Sequence, residues 1–300
     1  MKKQATVQPP LWFTDFDGTL KPLAGEVSPE DLVSLKAVGE AGGVRVVATG
    51  RSVKTFLRDW SRDFELDYLI SSSGLALTRW GKEGEGETLE IRSYRPEDAA
   101  LAVQCSLELD IGFAFCFPPP LAHSFYYKLP EKTPVPRSFE AMINQSDRAP
   151  IPWRGESSFP LGQVLLIAQP ELMREKAAVF QKRVPNLSFV FTTSPYEDGS
   201  LWLEVYPPEV SKGRAAERLA VSLGFGAEDA VALGNDYNDL DLLRWAGMAY
   251  ISEKGPADLL PLFRNMPPAG KAPLKFVLDE LRPSLYGDYL KRHPAEALGS

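Results

Sequence analysis

The stretch Leu11-Trp12-Phe13-Thr14-Asp15-Phe16-Asp17-Gly18-Thr19-Leu20 constrains the fold of this chain more than any other. A run of strand-forming residues ends in two carboxylates two positions apart, and Gly18 lets the backbone turn sharply away. Side chains at i and i+2 of a strand share a face, so Asp15 and Asp17 are expected to project together from the carboxyl edge of the strand. Neighbouring carboxylates repel unless a cation lies between them or one keeps its proton. Phosphoryl transfer uses both conditions: a hard divalent cation on oxygen ligands, and a proton donor beside a nucleophile. Asp and Gly are also ordinary turn residues. The rest of the chain has to decide.

Ser28-Pro29-Glu30-Asp31 combines an N-cap, a proline at the first helical position and acidic residues in the first turn, predicting a helix to about Ala41 that Gly42-Gly43 ends. Val44 to Ala48 is a second strand, stopping at Thr49-Gly50-Arg51-Ser52. A strand, a helix and a strand in that order imply a parallel pair, with Thr49 at the same edge as Asp15. A hydroxyl and a glycine at a helix start suit a phosphate oxygen, although Thr49 could equally serve as an N-cap. Arg51 either helps hold the anion or solvates the surface. Asp67 to Ile70 gives a third strand, followed by Ser71-Ser72-Ser73-Gly74. After Pro207-Pro208, Lys212 opens a helix to about Leu223. A lysine opposes the helix dipole there, so its presence asks for an anion. Ala230 to Leu233 is a short buried strand running into Gly234-Asn235-Asp236-Tyr237-Asn238-Asp239, an acidic loop suited to completing a metal site.

DFDGT at 15–19, ATGR at 48–51, SKG at 211–213 and GNDYND at 234–239 resemble, in order, the four motifs of the haloacid dehalogenase superfamily of phosphotransferases. The resemblance implies an α/β fold: a Rossmann-like core with a parallel sheet flanked by helices, and an inserted α+β cap. It implies Asp15 as nucleophile, Asp17 as general acid/base, Thr49, Gly50, Arg51 and Lys212 around the phosphoryl group, and Mg²⁺ held by the Asp15 carboxylate and the Asp17 carbonyl together with the loop of Asn235, Asp236 and Asp239. One position departs from the family pattern. Its first metal-binding Asp falls at Asn235, with Asp236 one residue later, so either Asn235 or Asp236 completes the metal site and Asp239 stands behind it.

Between the second and third motifs lie about 130 residues, rich in strand formers and proline, that break any simple βα repeat. Leu75 to Tyr94 reads as a hairpin around a glycine- and glutamate-rich turn at 81–87. A helix at 96–109 and a broad irregular segment lead to a strand at Gln163 to Ala168, a helix at 170–183, and strands at Ser188 to Thr193 and Leu201 to Tyr206. The expected division is a core of residues 1–76 and 207–300 with a cap of 77–206. This cap type, together with the LISSSG stretch, resembles the sucrose-phosphatase-like and related sugar-phosphatase branches.

Of 300 residues, 44% are hydrophobic, enough for a globular core, and the net charge of −7 gives no general attraction to nucleic acid or an anionic membrane. Met1-Lys2-Lys3 begins like a signal peptide, but Gln4 to Pro10 is too polar for an apolar core segment. A cytoplasmic protein, monomer or dimer, is the expectation. Cys105 and Cys116 form no disulfide framework or metal spacing. Phe113, Phe115 and Phe117 alternate as one buried strand face, whereas His123, Trp153 and Arg154 sit in proline-rich loops as candidate substrate contacts. Three functions fit: a Mg²⁺-dependent phosphatase for a small phosphorylated metabolite such as a sugar phosphate, a phosphomannomutase-like mutase, and a catalytically weak phospho-sugar-binding protein, the last motivated by Asn235.

Overall fold

The computed structural model describes residues 9–81, 84, 86–145, 149–156, 158–194 and 198–294. The signal-like start and positions 82, 83 and 85 of the expected hairpin turn lie outside these described residues. In chain order the elements are β1 (Leu11–Thr14), α1 (Pro29–Glu40), β2 (Val44–Ala48), α2 (Val53–Leu57), β3 (Tyr68–Ser71), β4 (Ala76–Trp80) and β5 (Gly86–Ile91). Then come α3 (Pro96–Glu108), β6 (Gly112–Cys116), β7 (Ser124–Lys128), α4 (Arg137–Ile143), β8 (Ala149–Pro152), β9 (Gln163–Ala168), α5 (Pro170–Arg183), β10 (Ser188–Thr193) and β11 (Leu201–Tyr206). The chain closes with α6 (Lys212–Leu223), β12 (Ala230–Gly234), α7 (Leu240–Trp245), β13 (Met248–Ser252), β14 (Arg264–Met266), α8 (Pro273–Leu281) and α9 (Leu285–Arg292).

Two compact units result. The first comprises Met1–Gly50, Asp59–Leu89 and Lys212–Ser300; the second comprises Arg51–Arg58 and Glu90–Ser211. The first unit is built on a sheet of order β14-β13-β12-β1-β2-β3-β4-β5, parallel from β14 through β3. Alternation along β1 and β2 sends Leu11, Phe13, Val46 and Ala48 to the face covered by Ala215, Leu219 and Ala220 of α6 and by Leu242 and Leu243 of α7. Helix α1 packs on β2 and against α8 and α9. It starts where Ser28 accepts the Asp31 N–H at 3.1 Å, and it ends at Gly42, whose φ of +86° is open to glycine at little cost.

The hairpin at 75–94 does not begin a separate domain. Strand β4 pairs antiparallel with β3, Ile70 opposite Leu77, and β5 forms the edge of the same sheet, so the division falls between Leu89 and Glu90. An antiparallel strand on a parallel sheet needs only the tight Ser72–Gly74 turn after β3, and no crossover helix.

The second unit has a sheet of order β10-β11-β9-β6-β7-β8, antiparallel except for the β7–β8 pair. Phe113 and Phe115 of β6 face α3 and α5, in a cluster with Cys105, Met173, Ala177 and Phe180. Ala114 and Cys116 face the opposite way, toward Phe139 and Met142 of α4. Both cysteines are thus buried thiols, outside any disulfide, in packing roles. Phe117 lies past the end of β6 and is only half-buried. The segment expected to be irregular contains β6, β7, α4 and β8. Prolines at 118–120, 130, 134, 136, 150 and 152 cut it into elements of four to seven residues, too short to display a helical or strand period.

Candidate active site

Asp15 follows β1 directly, and its N–H donates to Leu233 O at 2.8 Å, extending the β1–β12 pairing by one residue. That register sets the loop after β12 beside the turn after β1. Asp17 lies in this turn, where Phe16 O accepts the N–H groups of Leu20 and Lys21 at 3.0 and 2.8 Å. Strand alternation therefore does not govern its direction. Its carbonyl oxygen faces Asn235.

Lys212 is completely buried, and its ammonium donates to Asp15 Oδ1 at 2.7 Å and to Asp239 Oδ1 at 2.6 Å. The other Asp239 oxygen accepts the N–H groups of Asn235 and Asp236 at 2.8 and 3.2 Å, so one carboxylate fixes both the lysine and the loop. A third acid supports the start of α6: Asp241 Oδ2 accepts the Gly213 N–H at 2.9 Å. A Cβ on Gly213 would lie 2.7 Å from Asp241 atoms, so this approach requires glycine. The dipole mismatch of a lysine in the first helical turn is thereby offset by anions on the neighbouring loop.

Burial pushes the Asp15 carboxyl up to about 7, with the Asp239 and Asp17 charges adding to it and Lys212 pulling against it. Burial works to lower Lys212, but Asp15 and Asp239 outweigh it and hold the ammonium above its ordinary range. Burial of Asp15 beside other acids raises the one, and two carboxylates around a single ammonium raise the other. The site has room, electrostatically, for more positive charge.

Asn235 sits where that charge would go. The inward atom of its carboxamide lies 3.0 Å from Asp17 O, 3.0 Å from Asp15 Oδ2 and 3.1 Å from Thr19 Oγ1. Gly18 underlies it with φ +78°, and a Cβ there would come within 2.4 Å of the amide. Adjacent oxygens around an octahedral cation bound at about 2.1 Å are about 3.0 Å apart, so Asp15 Oδ2, Asp17 O and an inward Asn235 oxygen fit a small hard dication. Among the described residues no group of three or more His, Cys, Asp or Glu is arranged to hold a metal. The candidate set is instead mixed: a carboxylate, a carbonyl and an amide. Asp236 Oδ1 accepts the Tyr237 N–H at 2.7 Å and caps the turn at Tyr237–Asp239, leaving Asn235 as the residue next to Asp15.

Thr49 is buried at the end of β2, where its N–H donates to Ile70 O at 2.8 Å and its carbonyl accepts the Ser73 N–H at 3.0 Å. Thr14 pairs with Val47, so Thr49 and Asp15 stand at one edge of the sheet. Gly50 has ordinary room, since a Cβ would stay 3.6 Å from Ser73 Oγ. Arg51 belongs to the second unit, its guanidinium donating to Thr55 O at 3.1 Å. His123 is half-buried in the turn before β7, and Arg154 is exposed. Trp153 packs edge-on against Phe115, Tyr126 and Phe159 at 5.1–5.7 Å. The sequence reading passed over Thr19 and Asp241. Thr19 lies within the first motif, and the signal at Asp241 was an acid in the first turn of a helix beside the fourth.

The profile of haloacid dehalogenase-like hydrolases matches residues 12–261. The chain belongs to the haloacid dehalogenase-like hydrolases. It is 26% identical over 240 residues, 78% of this chain and 83% of the other, to the Bacillus subtilis (strain 168) protein named "Putative phosphatase YxeH". Among solved structures, BT1666 from Bacteroides thetaiotaomicron, described among phosphatases of this superfamily, has a TM-score of 0.73 at 17% identity, covering 90% of this chain and 94% of its own. The subclass IIB sugar phosphatase BT4131 has a TM-score of 0.70 at 17% identity, covering 90% and 98%. The fold is thus that of a hydrolase of this family with a cap of type IIB. No helix among the described residues is long and apolar enough to cross a membrane.

Proposed function

We propose that this hydrolase is a Mg²⁺-dependent phosphatase that removes the phosphoryl group of a small metabolite, most simply a sugar phosphate, through an aspartyl-phosphate intermediate. The observation that carries the reading is the division of labour at Asp15. One oxygen is bound by the buried Lys212 ammonium, and the other lies 3.0 Å from the Asn235 carboxamide, which also meets the Asp17 carbonyl. A carboxylate held this way has one fixed orientation toward an incoming phosphorus. Bound Mg²⁺ would be held by Asp15, Asp17 O and Asn235, and would supply positive charge to the phosphoryl oxygens.

The chain's own residues do the rest. Asp15 attacks phosphorus and the bond to the leaving oxygen breaks, while Asp17 gives that oxygen a proton. Asp17, now a base, takes a proton from water, which attacks phosphorus and releases inorganic phosphate from Asp15. Lys212 neutralises Asp15 and the transferring group, and the Thr49 hydroxyl with the Gly50 N–H offers donors at the same edge. Asp239 keeps Lys212 in line. Substrate choice is assigned to the second unit, with His123 and Arg154 as candidate contacts, Trp153 in a packing role and Arg51 as a candidate for the anion. The name of the sugar phosphatase BT4131 and the cap type support a sugar phosphate.

The test is phosphate release from a panel of sugar mono- and bisphosphates with Mg²⁺ or chelator, for the wild type and Asp15→Asn. Turnover that needs both Mg²⁺ and Asp15 is expected. Turnover surviving in Asp15→Asn would remove the aspartyl-phosphate scheme, and a requirement for a bisphosphate activator would make the protein a mutase.

A further inference from the structure

We propose that the Asn235 carboxamide is a two-position latch over the cation site. Its nitrogen closes the site in the metal-free protein, and its oxygen turns in as a ligand when a divalent cation binds. The inference rests on the phosphatase reading only for the identity of the cation.

The neighbours of the inward amide atom set the argument. Asp17 O can only accept a hydrogen bond, an ionised Asp15 Oδ2 likewise, and Thr19 Oγ1 can do either. With nitrogen inward, the two N–H groups are shared over these three acceptors at 3.0–3.1 Å. With oxygen inward, Thr19 Oγ1 donates to it at 3.1 Å, but it faces Asp15 Oδ2 and Asp17 O, acceptor against acceptor. With Asp15 ionised, that arrangement is favourable only with a cation between the oxygens, and their spacing suits one. A single side chain therefore matches both states by exchanging its two ends.

The exchange demands little of the protein. The last torsion of Asn joins an sp³ to an sp² carbon and is soft, and the two ends of a carboxamide have nearly the same shape. The backbone stays in place because the Asn235 N–H is bound to Asp239 Oδ2 and the side chain lies on Gly18. A carboxylate at this position has no donor end. It would add a fourth acid to Asp15, Asp17 and Asp239 against the one ammonium of Lys212, repelling in the metal-free state and attracting a cation more strongly. Asparagine accordingly lowers affinity for the cation and leaves the metal-free site satisfied.

Mg²⁺ binding by titration calorimetry, and thermal midpoints in chelator and in Mg²⁺, compare the wild type with Asn235→Asp and Asn235→Ala. We expect Asn235→Asp to bind Mg²⁺ at least about tenfold more tightly, since an added ligand charge deepens such sites. In chelator its midpoint should fall below that of the wild type. Asn235→Ala should bind Mg²⁺ more weakly than the wild type, having lost the oxygen. Equal metal-free midpoints for the wild type and Asn235→Asp would overturn the latch. So would Asn235→Ala binding Mg²⁺ as tightly as the wild type, or no Mg²⁺ binding by any of the three. If the predicted ordering holds but no compound releases phosphate, the latch stands and the phosphatase reading falls. If turnover needs Mg²⁺ while the wild type and Asn235→Asp bind it equally, the reading stands and the latch falls.

Discussion

The two units of this protein bury different things. The first holds charge in its interior: Lys212, Asp15 and Asp239 at one edge of the parallel sheet, and Asp31 between helices. The second is built mainly of rings and aliphatic chains, with Phe113 stacked on Phe115 at 4.4 Å and Phe159 stacked on Phe115 at 5.6 Å, and its buried acids Asp98 and Glu204 are held by Arg95 and by the Tyr206 hydroxyl. One polar chain in it is mostly neutral: Trp202 Nε1 donates to Ser138 Oγ, which meets Ser200 Oγ, which donates to Asp198. Buried charge is tolerated only where partners hold it, and it is retained where its chemistry is used. A packed core of rings specifies shape and leaves chemistry to its rim.

The largest expected effect lies at the charged edge. Asp15→Asn keeps the shape of the side chain and removes the nucleophile, so phosphate release should fall by at least about a thousandfold while the thermal midpoint stays near that of the wild type. A loss of folding with the activity would show that the edge is needed for stability first, and the contrast between the units would weaken.

The second comparison sets one deletion against another. Lys212→Met leaves Asp15 and Asp239 buried without their cation, which is expected to cost about 3–5 kcal/mol in denaturant unfolding at pH 8. Phe115→Ala in the second unit should cost about 3–5 kcal/mol through the cavity it leaves. The two should separate with pH. Burial raises the Asp15 carboxyl to about 7 against the pull of Lys212, and without the lysine Asp15 keeps its proton to higher pH, so the Lys212→Met deficit should shrink as pH falls toward about 7, whereas that of Phe115→Ala should not change. Equal pH profiles would mean that the first unit does not depend on ionic pairing.

Two structural aspartates sharpen this with opposite signs. Asp31 Oδ1 accepts the Lys275 N–H at 3.0 Å, capping α8, whose own N-cap residue Ala272 supplies no side-chain bond. Burial pushes Asp31 up to about 6 from 3.8, against the pull of these N–H groups. The folded state then binds the proton more tightly than the unfolded chain, so the penalty is full above about 6 and is relieved as pH falls toward 3.8. Relative to Asp31→Asn, the wild type should gain about 2–3 kcal/mol between pH 7.5 and 4, read from denaturant curves.

Asp198 goes the other way. Burial works to raise it, but donors from Ser200 and Ser138 outweigh that and hold it well below the usual carboxylate range. Its contribution is full above 3.8, the unfolded value, and is lost as pH falls further. Asp198→Ala should destabilise the second unit by about 1–2 kcal/mol at neutral pH, the loss of one helix-start acceptor and its serine bonds, read by amide hydrogen exchange in α4. A change smaller than about 0.5 kcal/mol would mean that the serine–tryptophan chain is held by packing alone.

The same contrast explains what could be read in advance. In the first unit, β2, α1 and β12 are bounded by caps and glycines close to where Ser28, Gly42 and Gly234 stand in the sequence. Parallel strands joined by helices leave little choice of neighbour, so Thr49 and the loop at Asn235 had to meet the edge that carries Asp15. In the second unit, β9, α5, β10 and β11 fell where their periodicity put them. The short elements between Phe117 and Pro152 did not, and nothing local indicates that β6 pairs with β9 or that β8 lies parallel to β7. The hairpin of β4 and β5 is of the same kind, since its residues say that two strands form and not which sheet they join.

The sequence by itself pointed Asp15, Thr49 and the 234–239 loop to one sheet edge, because each stands at the end of a strand whose direction the parallel topology dictates, and it brought in Lys212 through the likeness of SKG to the family's third motif. It also determined the family, through four motifs in order. Tertiary structure alone decided that Asn235, with Asp236 turned to cap its own loop, lies against Asp15. It alone decided that Asp241 braces the start of α6 and that Trp153 is packed among rings. Apart from the local cap of Asp236, those outcomes depend on hydrogen-bond or ring partners mostly tens to hundreds of residues away along the chain, and a side chain carries no mark of its partner until the backbone brings the two together.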